Sequence, residues 1–312
     1  MKTLKKYLSL VKFSHTIFAL PFALIGFFLA VWWLPGVAGE DLSAFSGFNP
    51  GSSENDQALW LKFLLVLLCM VFARSAAMAF NRWLDKNFDA KNPRTAIREI
   101  PAGIISANSA LMFVVFNSVA FIITTWFINP LCFALSFVAL FVILFYSYTK
   151  RFTPLCHLVL GLGLSLAPIG AYLAITGVFH VLPVIFSFIV LCWVSGFDII
   201  YSLQDEEFDR SQQLHSIPVW LGKKRALKFS RVLHVIAAVL VITAGGYAGF
   251  HWLYWAGALF FISMLIYQQS IVKPHDLTRV NIAFMTANGM ASVMFALFVI
   301  ADLWVWYYLE LN

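Results

Sequence analysis

Apolar runs of about 20 residues recur along the whole chain. A run of that length spans the hydrocarbon core of a bilayer as a helix. Nine such segments are expected, at roughly 13–34, 59–80, 107–128, 131–149, 155–176, 181–200, 229–249, 252–272 and 280–304. Only 12% of the 312 residues are charged, against about 25% in a soluble globular chain. The fold class expected is an all-α polytopic membrane protein, one domain over 1–312, with no separate soluble part. The apolar run after Lys2, Lys5 and Lys6 continues to Trp33 without a convincing small-residue cleavage site. It reads as a first span and not a cleaved signal.

Charge placement sets the expected orientation. With the N-terminus in the cytoplasm, every one of the 21 basic residues except Lys62 falls on the inner side. Positive charge left in short loops marks the cytoplasmic face. Nine crossings then put the C-terminus outside, in a cytoplasmic (inner) membrane. Residues 35–58 are rich in Gly, Ser and Pro, carry Glu40, Asp41, Glu54 and Asp56, and have no Lys or Arg. They are expected to form an extracytoplasmic loop. Cys69, Cys132, Cys156 and Cys192 lie in apolar runs without paired spacing and read as small hydrophobes.

Two polar stretches interrupt this pattern, both on the inner side. In the first, within the expected cytoplasmic segment 81–106, Asn81, Asp85 and Asp89 recur every four residues and share one helix face. Arg94 and Arg98 follow at the same interval. In the second, residues 198–209, which run into the expected cytoplasmic segment 201–228, Asp198, Asp205 and Asp209 stand at 0, +7 and +11, again close to one direction on a continuous helix, with Tyr201 between them. Glu206 and Glu207 turn away and are expected to be solvated.

Aligning Asp85 with Asp205 sets Asp89 against Asp209. Both stretches then run on to an Ile-Pro pair, Ile100-Pro101 and Ile217-Pro218. The expectation is two pseudo-repeated four-helix halves around a central cavity, which bring the acidic ends together.

Facing carboxylates repel unless something positive lies between them. Oxygen ligands without His or Cys suit Mg²⁺, which takes one or two carboxylates plus substrate phosphate oxygens. The arginines make sense if the ligand is a diphosphate. A diphosphate site beneath an apolar cavity points to a polyprenyl diphosphate, and water exclusion protects the allylic cation left when the diphosphate departs. The alternative class is a transporter, which predicts carboxylates near mid-span. Here they cluster at helix ends. His157 reads equally as a substrate contact and as a hydrogen-bonded helix contact; His15 and His215 are weaker candidates.

These residues resemble a known family. NRWLDKNFDAKNPRT…REIPAG resembles the first aspartate-rich motif of the UbiA superfamily of intramembrane prenyltransferases, and GFDIIYSLQDEEFD resembles the second. YSYTKR, Tyr146 to Arg151, followed by LVLGLGLSLAPIGAY, is similar to a third block. The resemblance covers most of residues 10–300. It implies nine helices around a cavity, Mg²⁺, and transfer of a polyprenyl chain from its diphosphate to an acceptor.

Carried over, it implies a metal set of Asn81, Asp85, Asp89, Asp205 and Asp209. Asp198, Tyr201 and Asp205 are the implied catalytic residues, and Arg94, Arg98 and Lys150 the implied diphosphate contacts. Arg151 and His157 would bind the acceptor. The implied partners are polyprenyl diphosphate, an aromatic acid and the lipid bilayer, with no nucleic acid. In this branch the acceptor is 4-hydroxybenzoate or, since NPRT…REIPAG, CHLVLGL and LHSIP look closer to the futalosine route of menaquinone synthesis, 1,4-dihydroxy-6-naphthoate. Other acceptors, haem among them, remain open.

Two residues depart from the pattern. The first motif often begins Asn-Asp, and here Arg82 takes the acid's place. His157 stands where Gln is common in 4-hydroxybenzoate enzymes.

Overall fold

A backbone in lipid must satisfy its own hydrogen bonds, and a helix does so within one segment. The computed structural model describes residues 2–11, 18–33 and 53–310. Lys12, His15, the first residues of the expected first span and residues 35–52 of the expected outer loop lie outside the described residues. The helices are α1 (Lys2–Leu10), α2 (Leu20–Phe28, continued by a π turn, Leu29–Trp33), α3 (Ser53–Leu84), α4 (Lys86–Lys91), α5 (Ala107–Trp126), α6 (Pro130–Thr149) and α7 (Cys156–Thr176). After them come α8 (Val181–Ser202), α9 (Glu206–Ser211), α10 (Ile217–Leu221), α11 (Lys223–Ala248), α12 (Trp252–Ile271) and α13 (Asn288–Glu310).

Among the described residues, seven helical segments are long and apolar enough to cross a membrane, contributed by α3, α5, α6, α7, α8 with its extension to Ser211, α11, and α13 with the turn before it. The expected count was nine. Leu20–Trp33 is apolar but shorter, and α12, although 20 residues long, is made less apolar by Gln268, Gln269 and its indole and phenol rings. A second difference lies in the outer loop, where Ser53 to Ala58 already belong to α3.

The core is centred on α8, which packs against α7 on one side and α11 on the other. Close approach requires small residues at the crossings. A Cβ at Gly161 would meet Ser195 Oγ at 2.2 Å and the Leu191 carbonyl at 2.6 Å, and one at Gly196 would lie 2.3 Å from the His234 ring. Aromatic packing fills the space between α2, α8, α12 and α13: Phe22, Trp193, Phe261 and Phe295 are fully buried and in mutual ring contact.

Polar side chains stitch this core together. Residues Ile282–Ala287 form a π turn ahead of α13, which shifts backbone carbonyls away from their usual helical donors. Asn288, fully buried, donates through Nδ2 to the Ala283 and Phe284 carbonyls at 3.0 and 3.1 Å. Its Oδ1 accepts from Trp193 Nε1 at 2.8 Å and from Gln268 Nε2 at 3.2 Å. Far along the same helix, buried Asp302 accepts from the backbone amides of His251 and Tyr254 at 2.9 and 3.1 Å and so satisfies the start of α12.

Replacing Asn288 with Leu strands the Trp193 indole N–H and two carbonyls in the core. The expected cost is at least about 2 kcal/mol, read as a lowered thermal midpoint of the detergent-solubilised protein. Gly246→Ala, where a Cβ meets nothing within 4 Å, is expected to leave the midpoint unchanged.

Candidate active site

The two acidic stretches break their helices in the same way. α3 stops at Leu84, Asp85 adopts φ −91°, ψ 7°, and α4 restarts behind it. α8 stops at Ser202, a 3-10 turn carries the chain to Asp205 at φ −102°, ψ 0°, and α9 restarts. Each break redirects the chain so that the fourth residue of the short helix, Asp89 or Asp209, is buried. The second stretch is therefore not the continuous helix expected from its spacing, yet its acids still converge.

Every one of the four aspartates is held by a basic side chain. Arg98 Nη1 lies 2.6 Å from Asp89 Oδ1, Lys150 Nζ 2.7 Å from Asp209 Oδ1, and Arg151 Nη2 2.9 Å from Asp85 Oδ1. Arg94 grips Asp205 with Nε at 3.1 Å and with Nη2, and gives Nη1 to Tyr201 Oη at 2.9 Å. Arg94 follows the first stretch and Asp205 lies in the second, so this pair ties the two together. Burial raises the Asp85 carboxyl above its usual range, with Arg151 opposing. Burial acts to lower Lys150, but Asp209 with Asp205 behind it outweighs burial and the ammonium is held above its ordinary value.

Arg151 apart, these groups ring one end of a cavity of about 1010 Å³. Its lining runs along α7 from Cys156 to Ala174, about 27 Å at helical rise. Away from the acids the walls are mostly apolar, with Phe121, Ile128, Leu135, Val138 and Leu164 among them, and carry Arg74, Thr125, Ser136 and Tyr146 as polar exceptions. His157 and Asp198 also line it. His157 Nδ1 is 2.7 Å from Asp198 Oδ2, and its Nε2 is 3.5 Å from Ser202 Oγ. The Tyr201 ring stacks on Phe284 of the π turn with centroids 4.1 Å apart, and the Arg94 guanidinium lies 5.4 Å from the Tyr201 ring centroid.

Arg151 is placed differently from its expected acceptor role. It is absent from the cavity lining, and its guanidinium donates to the Ser147 and Leu84 carbonyls at 3.0 and 3.1 Å as well as to Asp85. It positions Asp85 at the helix break. Glu206 is also not solvated as expected: it is bound by Arg210 at 2.8 Å and faces Lys223 at 3.8 Å, whereas Glu207 is exposed.

Asn81 donates Nδ2 to Asp85 Oδ2 at 3.2 Å. Asn92 escaped the sequence reading. Its Nδ2 reaches Asp205 Oδ1 at 3.4 Å, and its Oδ1 accepts from the Arg94 amide at 3.0 Å. The available signal was Asn92-Pro93, a pair that favours a side-chain-capped turn.

The donor set fits Mg²⁺. All candidate ligands are hard oxygens, and buried Asp89 Oδ2 has no hydrogen-bond partner. Among the described residues no three of His, Cys, Asp and Glu stand close enough for an all-protein metal cage. Mg²⁺ shared with a diphosphate needs none, since substrate oxygens complete its shell.

Comparison with known proteins agrees with this geometry. A model of the UbiA prenyltransferase family matches residues 51–298. The 4-hydroxybenzoate octaprenyltransferase of Aeromonas salmonicida (strain A449) is 30% identical over 242 residues, which cover 76% of this chain and 81% of that protein. The apo structure of a UbiA homolog from Aeropyrum pernix K1 superposes with a TM-score of 0.73 at 28% identity, covering 93% of this chain and 97% of that one. A UbiA homolog from Archaeoglobus fulgidus bound to DMAPP and Mg²⁺ shares the fold, with a TM-score of 0.71 at 19% identity over 96% of this chain and 99% of that one. With its two aspartate-rich stretches facing each other across one end of an apolar cavity, the chain belongs to the UbiA prenyltransferase family and is a prenyl-transferring enzyme.

Proposed function

We propose that this protein transfers a polyprenyl chain from polyprenyl diphosphate to an aromatic acid, 4-hydroxybenzoate or 1,4-dihydroxy-6-naphthoate, in ubiquinone or menaquinone biosynthesis. The observation that carries the reading is the ring of four aspartates, each paired with a cation, at one end of a long apolar cavity. Carboxylates and cations together suit a metal-bound diphosphate, and the apolar length suits an isoprenoid tail. The relative from Aeromonas salmonicida, named a 4-hydroxybenzoate octaprenyltransferase, supports the acceptor class. The Archaeoglobus fulgidus homolog bound to DMAPP and Mg²⁺ supports the donor and the metal.

In this reading Asn81, Asp85, Asp89, Asp205 and Asp209 hold Mg²⁺. When bound, it neutralises charge growing on the departing diphosphate. Arg94, Arg98 and Lys150, each on an aspartate in the ligand-free protein, would donate to the diphosphate oxygens. The allylic C–O bond breaks with its electron pair leaving on the diphosphate. A C–C bond then forms to the acceptor ring, and the ring proton leaves. Tyr201, stacked on Phe284 and held by Arg94, turns an aromatic surface toward the cavity where the cation forms. Asp198, paired with His157, stands ready to take the acceptor's proton, and His157 holds the acceptor. The apolar walls exclude water that would quench the cation.

The same reading takes Leu20–Trp33 and α12 as two further crossings. That makes nine, in two pseudo-repeated four-helix halves of a single domain. The acidic ends and the N-terminus face the cytoplasm across the inner membrane and the C-terminus lies outside. The one-sided placement of Lys and Arg supports this orientation.

Purified protein given Mg²⁺, a polyprenyl diphosphate and each aromatic acid in turn is expected to form prenylated product, and chelation by EDTA to abolish it. Absence of product from every aromatic acid would overturn the proposal. Asp85→Asn is expected to cut kcat/KM by at least about 100-fold, and full retention of activity would remove Asp85 from the site. His157→Ala is expected to raise the acceptor KM and, by leaving Asp198 without its partner, to lower kcat by about 100-fold, with the donor KM unchanged. A rise in the donor KM alone would place His157 elsewhere.

A further inference from the structure

Arg82 is a buried cation that the pairing scheme leaves over. It lines the cavity on α3 and is 5% exposed. Its Nε and Nη1 atoms are buried and have no hydrogen-bond partner. Three of the five guanidinium N–H groups are therefore out of water with nothing to bond. A buried cation so placed is strongly unfavourable unless an anion joins it.

Its acidic neighbours do not reach these N–H groups. Asp89 and Glu99 lie within its electrostatic range, but Asp89 is held by Arg98 at 2.6 Å through Oδ1, with Oδ2 bonding nothing, and Glu99 accepts the Ser9 hydroxyl. Arg98, also in range, adds a like charge. What these N–H groups lack is an acceptor within hydrogen-bond reach.

We propose that Arg82 is a substrate-binding residue whose unpartnered N–H groups take oxygens of the donor's diphosphate, beside Arg98. The inference rests on the proposed donor. A carboxylate on the acceptor is the other oxyanion at hand, and the surroundings favour the diphosphate. The charged groups around Arg82, namely Arg98, Asp89 and Glu99, belong to the first acidic stretch and the loop after it. The groups proposed to meet the acceptor, His157 and Asp198, stand on α7 and α8 instead. Arg82, Asp85 and Asp89 also line the same cavity, so a diphosphate held at the two aspartates lies on the Arg82 side of it.

The inference has a signature that a packing role does not. An arginine that braces the fold destabilises the protein when removed. An arginine waiting for an anion leaves the ligand-free protein as stable or more stable when replaced by an apolar side chain of similar length.

The test uses the full-length protein in detergent, as wild type, Arg82→Met and Arg82→Lys. Three quantities are read: the ligand-free thermal midpoint, its rise with Mg²⁺ and inorganic pyrophosphate, and the separate KM values for donor and acceptor. Arg82→Met is expected to melt no lower than wild type without ligand and to lose most of the pyrophosphate-induced rise. Its donor KM is expected to climb about 10- to 100-fold, the range spanned by loss of hydrogen bonds to a charged group. The acceptor KM should stay as in wild type, and Arg82→Lys should restore part of the donor affinity.

A large drop in the ligand-free midpoint with an unchanged donor KM overturns the inference in favour of a structural role. A rise in the acceptor KM alone overturns it in favour of the acceptor carboxylate. If wild type gains no stability from Mg²⁺ and pyrophosphate and forms no product, the donor reading itself has failed and Arg82 falls with it. If wild type gains stability and Arg82→Met gains as much, the inference about Arg82 alone has failed.

Discussion

Two adjacent cations hold the site together. Lys150 and Arg151 leave the end of α6 side by side, Lys150 bonded to Asp209 of one acidic stretch and Arg151 to Asp85 of the other. The Lys150 carbonyl also accepts the His215 amide at 2.7 Å, so the second loop is tied to the same point by its backbone. Carboxylates brought this close without compensation would repel or take up protons. Removing one partner of such a pair leaves the other charge buried and uncompensated. Arg94 crosses from the first loop to Asp205 and closes the ring on its other side.

The ring is useful because of what lies behind it. The cavity walls come from helices that meet through small residues and buried polar contacts, and those contacts reach the site directly. Asn288 satisfies the carbonyls of the π turn, and the π turn carries Phe284, on which Tyr201 stacks. Trp193, held by the same asparagine, packs with Phe197 of α8. Rigidity in the core is thereby passed to Tyr201 at the acidic end of the cavity.

Much of this is written in local pattern. The interval of four between Asn81, Asp85 and Asp89, the matched Asp205 and Asp209, and the arginines behind them announce a doubled acidic site, because helical spacing fixes which side chains share a face. What spacing does not encode is where a long side chain turns. Arg151 was expected at the acceptor, yet its guanidinium folds back onto Asp85 and two carbonyls. Glu206, expected in solvent, is drawn in by Arg210 and Lys223, both of which are set by the fold of α9 to α11. The 3-10 turn at Leu203–Asp205 and the π turn at Ile282–Ala287 have no composition signal, since tertiary partners such as Asn288 make them affordable. The number of crossings suffers similarly, because α12 is long enough but its glutamines are paid out to partners inside the bundle.

The central claim is that two acidic stretches act as one clamp on a metal-bound diphosphate. The most direct measurement is the Mg²⁺-dependent affinity of a non-reacting prenyl thiodiphosphate for wild type, Asp85→Asn, Asp205→Asn and the double variant. Residues that share one ligand are coupled, so the free-energy losses are not additive. The account predicts that each single variant weakens binding at least about tenfold, and that the double variant loses clearly less than the product of the two. Strictly multiplicative losses, or an Asp205→Asn variant that binds as wild type does, would contradict it.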